Sequence, residues 1–267
     1  MSSIKMGLFL AATLLISSGA WASAVTLENG NSTLSIDPAS VAGDSSWVVD
    51  GKNLLAKQWF WYRVGGSGPE ASIDAIGAPT SVTVSDGDGD NLNDRAVLKY
   101  AYTAGNFRIT VDQMLTGGTA GSGVSDISVV IKITNLGNTK MDFHLFQLCD
   151  LDLDAAGDTV AISGGNTADQ SGGMSLASES VVTTPSHHAV GLDGSLLTAL
   201  NDASATTLDD SNGPVTGNAQ WAFQWDFSIN PGSTAIVSKD LTVVPEPATM
   251  VLLALGGLVT FRRRNRK

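Results

Sequence analysis

The chain has 267 residues, with 26 acidic and 15 basic side chains, a formal net charge of −11 and one cysteine. Nine of the fifteen basic residues lie between the two ends of the chain, against all of the acids, and without clustered Lys and Arg a nucleic-acid partner is excluded. The lone Cys149 permits no internal disulfide, so stability must come from core area, which a domain of this size can supply.

The N-terminus reads as a secretory signal. Lys5 supplies a positive start, Met6 to Ile16 an apolar run, and Ala22-Ser23-Ala24 a small-x-small site. Cleavage falls after Ala24, leaving Val25 first, or after Ala22. The apolar run is too short for a membrane span of roughly 20 residues. Residues 1–24 are therefore the signal peptide and residues 25–243 the folded body.

Most of that body alternates with period 2, the mark of half-buried strands. Strands are predicted at Val25–Ile36, Gln58–Val64, Ser81–Ser85, Ala96–Tyr102, from Phe107 through Val111, from Ile127 through Thr134, and at Met141–Leu153. Others follow at Thr159–Ser163, Ser180–Thr183, Trp221–Ile229 and Ala235–Val244. Gly-, Asn- and Pro-rich clusters separate them, and only Ser195–Ala203 looks helical. Many short-turned strands with almost no helix predict an all-β, antiparallel β-sandwich of jelly-roll type. Two smaller β modules divided near Gly164–Gly173 are the alternative. Cys149, in an apolar stretch, reads as a buried structural residue, and the adjacent His187 and His188 as loop residues pointing to opposite sides.

Three stretches could carry chemistry. Asp86, Asp88, Asp90 and Asp94 take relative positions 1, 3, 5 and 9 of an EF-hand-like loop, so calcium is the candidate ion. Asn91 stands where the turn glycine belongs and Val97 where the bidentate Glu belongs, so an acidic surface turn is the alternative. Asp150, Asp152 and Asp154 would share one strand face and repel one another unless solvated, protonated or bridged by a cation. In the aromatic run Gln58–Arg63, Trp59 and Trp61 are read as core. Phe60 and Tyr62 are read as an exposed pair able to stack on sugar or a protein partner. No Gly-x-Ser-x-Gly elbow or phosphate-binding lysine loop appears, and the four glutamates sit in no catalytic pattern. A non-enzymatic protein is expected.

The C-terminus holds a second address. Val244-Pro245-Glu246-Pro247 is followed by an apolar run from Ala248 to Phe261 and then by Arg262, Arg263, Arg264, Arg266 and Lys267. The prolines forbid a helix interior, so the peptide around Glu246 should be extended and accessible. The apolar run, read as a short hydrophobic helix, is brief for a bilayer about 30 Å thick, and the basic cluster would stay cytoplasmic. Residues 244–267 resemble the PEP-CTERM sorting signal of Gram-negative bacteria. That resemblance implies signal peptidase and a membrane-embedded exosortase as processing partners. It also implies an inner-membrane precursor and a product at the cell surface or in an extracellular polysaccharide matrix or biofilm.

The expected activity is binding of polysaccharide or surface proteins, or a structural role. An extracellular carbohydrate-active enzyme and a permanently membrane-anchored structural protein are the alternatives.

Overall fold

The chain opens on a hairpin where a single strand was expected. β1 (Val25–Asn29) and β2 (Ser32–Asp37) pair around Gly30, whose φ of +53° reverses the backbone. The computed structural model describes residues 23–153, 157–173 and 175–246. The signal peptide up to and including Ala22, and the tail from Pro247 to Lys267, lie outside the described residues.

β3 (Gly43–Val49), the short β4 (Lys52–Asn53), β5 (Leu55–Val64) and the short β6 (Ala71–Ser72) follow, then a 3-10 turn at Ile73–Ile76. β7 (Ser81–Ser85), β8 (Arg95–Tyr102), β9 (Phe107–Gly117) and β10 (Ser125–Asn135) form a meander. β11 (Met141–Leu151) enters the first sheet, and β12 (Asp158–Ser163), β13 (Thr167–Gly172) and β14 (Ser175–Val181) form a second meander. β15 (His187–Leu192), helix α1 (Ser195–Leu200), β16 (Val215–Gly217), β17 (Ala219–Ile229) and β18 (Thr234–Pro245) complete the chain.

These strands make two antiparallel sheets of nine. One runs β1-β2-β3-β5-β11-β17-β15, with β4 on β3 and β6 on β5; the other runs β16-β12-β13-β14-β18-β10-β9-β8-β7. Both draw strands from either side of Gly164–Gly173. The fold is thus an all-β sandwich, with side chains of both inner faces filling the space between.

Those inner faces follow the period-2 patterns. Leu98, Tyr100, Ile109, Val111, Ile127, Val129 and Val237 of the second sheet are buried, as are Leu145, Phe223 and Trp225 of the first. At one end Tyr62, Phe107 and Phe143 pack ring against ring at centroid distances of 5.2 to 5.9 Å, the offset and edge-on contacts aromatic rings prefer.

The first sheet is buried on its outer face as well. The 3-10 turn, α1 and the loop after it lie over β5, β11 and β17. Trp59 Nε1 donates to Asp74 Oδ1 at 3.0 Å, and Trp61 Nε1 to Asn201 Oδ1 at 3.1 Å. This cover explains why Gln58 through Arg63 are all buried. It also corrects the expectation for Phe60 and Tyr62. Both point inward, Phe60 toward Lys239 and Tyr62 against Phe107, and neither is available to a ligand.

Candidate functional site

The sorting motif grows out of a central strand. β18 lies between β14 and β10, and its pairing with β14 continues through Val244, opposite Leu176, to Pro245, opposite Ser175. The peptide is extended, as expected, but it is held. Among the described residues of the motif, Val244 and Glu246 are half-buried and Pro245 is exposed. Pro245 sits so close to Gly123 that a Cβ there would lie 2.7 Å from its Cγ. Asp50 braces the same corner by accepting the backbone N–H of Gly121 at 2.6 Å and of Gly123 at 2.8 Å; these bonds hold its carboxyl below the usual range. A cleft of about 280 Å³ lined by Asp50, Lys52, Gly123, Ser175 and Pro245 opens beside the motif. At the other terminus, Ala24 is exposed and immediately precedes β1. A cut after either candidate alanine leaves β1 whole.

The acidic loop joins β7 to β8. Asp86, Asp88 and Asp94 bring one carboxylate oxygen each within 4.8 Å of one another. Asp90 is not in this group; its carboxylate turns back to accept the N–H of Leu92 at 2.7 Å. Asp94 is fully buried and accepts the N–H of Gly87 at 2.6 Å. Asn29 of β1 donates to Asp88 at 2.9 Å and to Asp94 at 3.3 Å. Asp86 accepts the N–H groups of Gly89 and Asn91, which lowers its pKa. Asn91 takes the left-handed conformation, φ +73°, that the turn requires. The loop is thus docked on the sheet by its own hydrogen bonds, and three converging carboxylate oxygens form a set that could hold a hard cation.

The run at Asp150 is described only as far as Leu153. The register breaks between Asp150 and Leu151, and β11 ends there. Asp150 accepts from Gln220 at 3.2 Å, and burial raises its pKa to about 6. Asp152 is exposed, and Asp154 lies outside the described residues. Asp158 is buried, accepting the Leu153 N–H at 2.8 Å and Gln170 Nε2 at 2.6 Å.

Between the sheets runs a polar chain that the sequence reading did not identify. Lys239 of β18 pairs with Glu179 of β14 at 2.9 Å and donates to Gln58 of β5 at 2.6 Å. Gln58 donates in turn to Asp44 of β3 at 2.7 Å, which also accepts from Gln113 at 3.2 Å. On the far side Glu179 accepts from Trp221 Nε1 at 2.6 Å and from Gln147 at 3.0 Å. Burial raises Asp44 to about 6, against the pull of these donors and of Lys239. Cys149 is buried nearby, and burial pushes its thiol well up, so it is no nucleophile. Four strands of the first sheet and three of the second do not simply touch here; three charges and four amide or indole groups tie them together across the core.

All three histidines of the chain gather at the far edge of the first sheet. His144 of β11 and Asp226 of β17 are direct cross-strand partners, with Nδ1 and Oδ1 2.6 Å apart. His187 lies on β15, correcting its assignment to a loop; its Nε2 is 3.9 Å from Asp226 Oδ2 and its Nδ1 is 3.1 Å from Asp210 Oδ2. His188, on the opposite side of the strand, meets Asn212 at 3.0 Å. The histidines hold Asp210 below the ordinary carboxylate range. Beside them Arg63 is buried in an ion pair with Glu70 and donates to Thr206 O at 2.9 Å. Only cross-strand pairing brings these residues together, so nothing in their sequence spacing announces the cluster.

Fold and termini together define a class: a β-sandwich whose last central strand continues into a sorting tail. Residues 243–267 match the family model of the PEP-CTERM protein-sorting motif, which implies export and membrane-associated processing. No curated protein matches the chain. Among solved structures, a bacterial glucoamylase complexed with acarbose is similar with a TM-score of 0.56 and 12% identity over 88% of this chain and 34% of that one. The chain thus spans about a third of that enzyme. A putative aldose 1-epimerase from Escherichia coli K12 is similar with a TM-score of 0.57 and 11% identity, over 83% of this chain and 98% of that one. At these identities the likeness is one of fold.

Proposed function

We propose that the protein is a non-enzymatic surface module. In this reading it is exported through its signal peptide and cut by an exosortase at Val244-Pro245-Glu246-Pro247. It is then left at the surface or in the extracellular matrix of a Gram-negative cell, where it binds polysaccharide or a neighbouring surface protein. Calcium at Asp86, Asp88 and Asp94 stiffens the loop side of the sandwich. The reading is carried by one observation: the sorting motif matched at residues 243–267 begins inside β18, so the sandwich itself is the cargo.

The test is a Glu246→Ala, Pro247→Ala double variant, which leaves the strand through Pro245 untouched. Intact-mass analysis of wild type should show a surface form without Arg262–Lys267, and the variant should accumulate uncut at the membrane. Normal processing of the variant would refute the sorting claim, and a wild-type surface form retaining the arginines would make the tail a permanent anchor.

A second reading is a carbohydrate-active enzyme. It is favoured by the His144–Asp226 pair, an acid–base couple on the sheet edge, and by the fold shared with a putative aldose 1-epimerase. Turnover of matrix polysaccharides or free aldoses, lost in His144→Ala, would establish it; binding without turnover supports the first reading.

A further inference from the structure

Resting on the sorting reading, we propose that the folded body gates its own processing: the corner that clasps Val244, Pro245 and Glu246 must open before a protease can take the motif, and Asp50 is the latch. β18 is paired on both sides as far as Val243, which faces Ser125 of β10 and Ala177 of β14. Beyond it only β14 remains, with Leu176 opposite Val244 and Ser175 opposite Pro245. Pro245 has no N–H to give the ladder, so the strand is weakest where the motif begins. The turn between β9 and β10 holds it there. Gly123 takes φ +66° and lies so near the Pro245 ring that a Cβ would meet its Cγ at 2.7 Å. That turn is fastened to the first sheet. The Asp50 carboxylate accepts from Gly121 and Gly123 at 2.6 and 2.8 Å. Asn31 donates to the same carboxylate at 2.8 Å and accepts the Gly118 N–H at 2.8 Å.

The clasped and the protease-bound states exclude each other. An extended peptide is recognised through its main-chain groups and its alternate side chains. Here β14 occupies one backbone edge of Val244 and Pro245, Gly123 packs on the proline ring, and Val244 and Glu246 are half-buried. The opening required is small. Two residues of one ladder and one packed ring must part, while the pair of Val243 with Ser125 stays behind them intact. Local openings of this kind need far less free energy than global unfolding. Where they are fast, cleavage follows the population of the open form. Asp50 is thus a positioning residue, acting on the motif through the Gly121–Gly123 turn that it holds in place. A cut beyond Pro245 leaves β18 whole, so the corner can close again on the product.

The full chain, purified in detergent, would be mixed with membrane vesicles from an exosortase-bearing Gram-negative cell, and loss of Arg262–Lys267 followed by mass. Asp50→Ala should be cut roughly 5-fold faster than wild type, as loss of its hydrogen bonds to the turn predicts. Ile109→Val, a core change at the opposite end of β9 from the corner, should be cut at the wild-type rate although it too lowers the melting temperature. A Leu176→Cys, Val244→Cys disulfide joins directly paired positions. It should stop cleavage when oxidised and restore it on reduction, which separates the lock from damage to the motif. Hydrogen exchange over residues 241–246 reads the opening without the protease and should be faster in Asp50→Ala than in wild type. Equal cleavage rates for Asp50→Ala and wild type, or for the oxidised and reduced double variant, would overturn the gate and leave the sorting reading standing. A wild type that is never cut would overturn both.

Discussion

Lys239 and Glu179 meet in the dry centre of the sandwich, Nζ to Oε1 at 2.9 Å, with neither side chain exposed to solvent. They sit on adjacent strands of the second sheet, and both reach across to the first. Lys239 donates to Gln58, while Glu179 accepts from Trp221 and Gln147. A buried pair of this kind adds little net stability over apolar residues of the same volume, but breaking it strands a charge.

Lys239→Met should therefore destabilise the sandwich by about 3–5 kcal/mol, and Glu179→Leu by a similar amount, while the double variant should recover much of the loss. Urea unfolding of the three variants checks this. Additive losses would mean that the two residues are not coupled.

Stability should depend on pH through Asp44. Its folded pKa of about 6 lies above the ordinary 3.8 because burial penalises the charge. Folding therefore favours the protonated form. The contribution is complete below pH 3.8 and is lost as pH rises through about 6. A shift of this size corresponds to about 3 kcal/mol as an order of magnitude. Asp44→Asn should lower stability below pH 4, since Gln58 and Gln113 donate to different oxygens of Asp44 and an amide has only one. It should also flatten the decline between pH 4 and 6. Asp150, raised to about 6 as well, leaves a smaller slope in the same window. An unchanged slope in Asp44→Asn would show that Asp44 is charged in the folded protein.

Gly43 is a packing requirement. It has φ +58°, and a Cβ there would lie 2.3 Å from the Trp59 ring, which is itself fully buried. Gly43→Ala should cost about 2–4 kcal/mol from left-handed backbone strain and overpacking together. Calorimetry would show this as a melting temperature lower by several degrees.

Calcium should raise the melting temperature of the wild type by binding the folded state alone. Asp88→Asn should remove most of that effect. Asp90→Asn should leave it nearly intact, because Asp90 is outside the group of three converging carboxylates. Equal losses for the two variants would point to diffuse surface screening.

Much of the architecture is written in the alternation of single strands, because a half-buried strand must put apolar residues at every second position. Arg95–Tyr102, Phe107–Gly117, Ser125–Asn135 and Ala219–Ile229 all announce themselves this way, and β3 and β13, poorer in large apolar residues, do not. Lys239 and Glu179 follow the same rhythm. They fall on inward positions beside Val237 and Leu241, and beside Ala177 and Val181, a signal that a polar residue is bound for the core.

Composition, local order of charge and apolarity, and period therefore suffice for the exported β-sandwich and its sorting tail, since each is a property of contiguous residues. Pairing partners, and the loops laid over the first sheet, are set by contacts between residues far apart in the chain. For that reason Phe60 and Tyr62 became core when they looked like surface. It is also why His144, Asp226 and His187 became neighbours only when β11, β17 and β15 aligned. Lastly, Pro245 belongs to a sheet because Ser175 and Gly123 fold back to meet it.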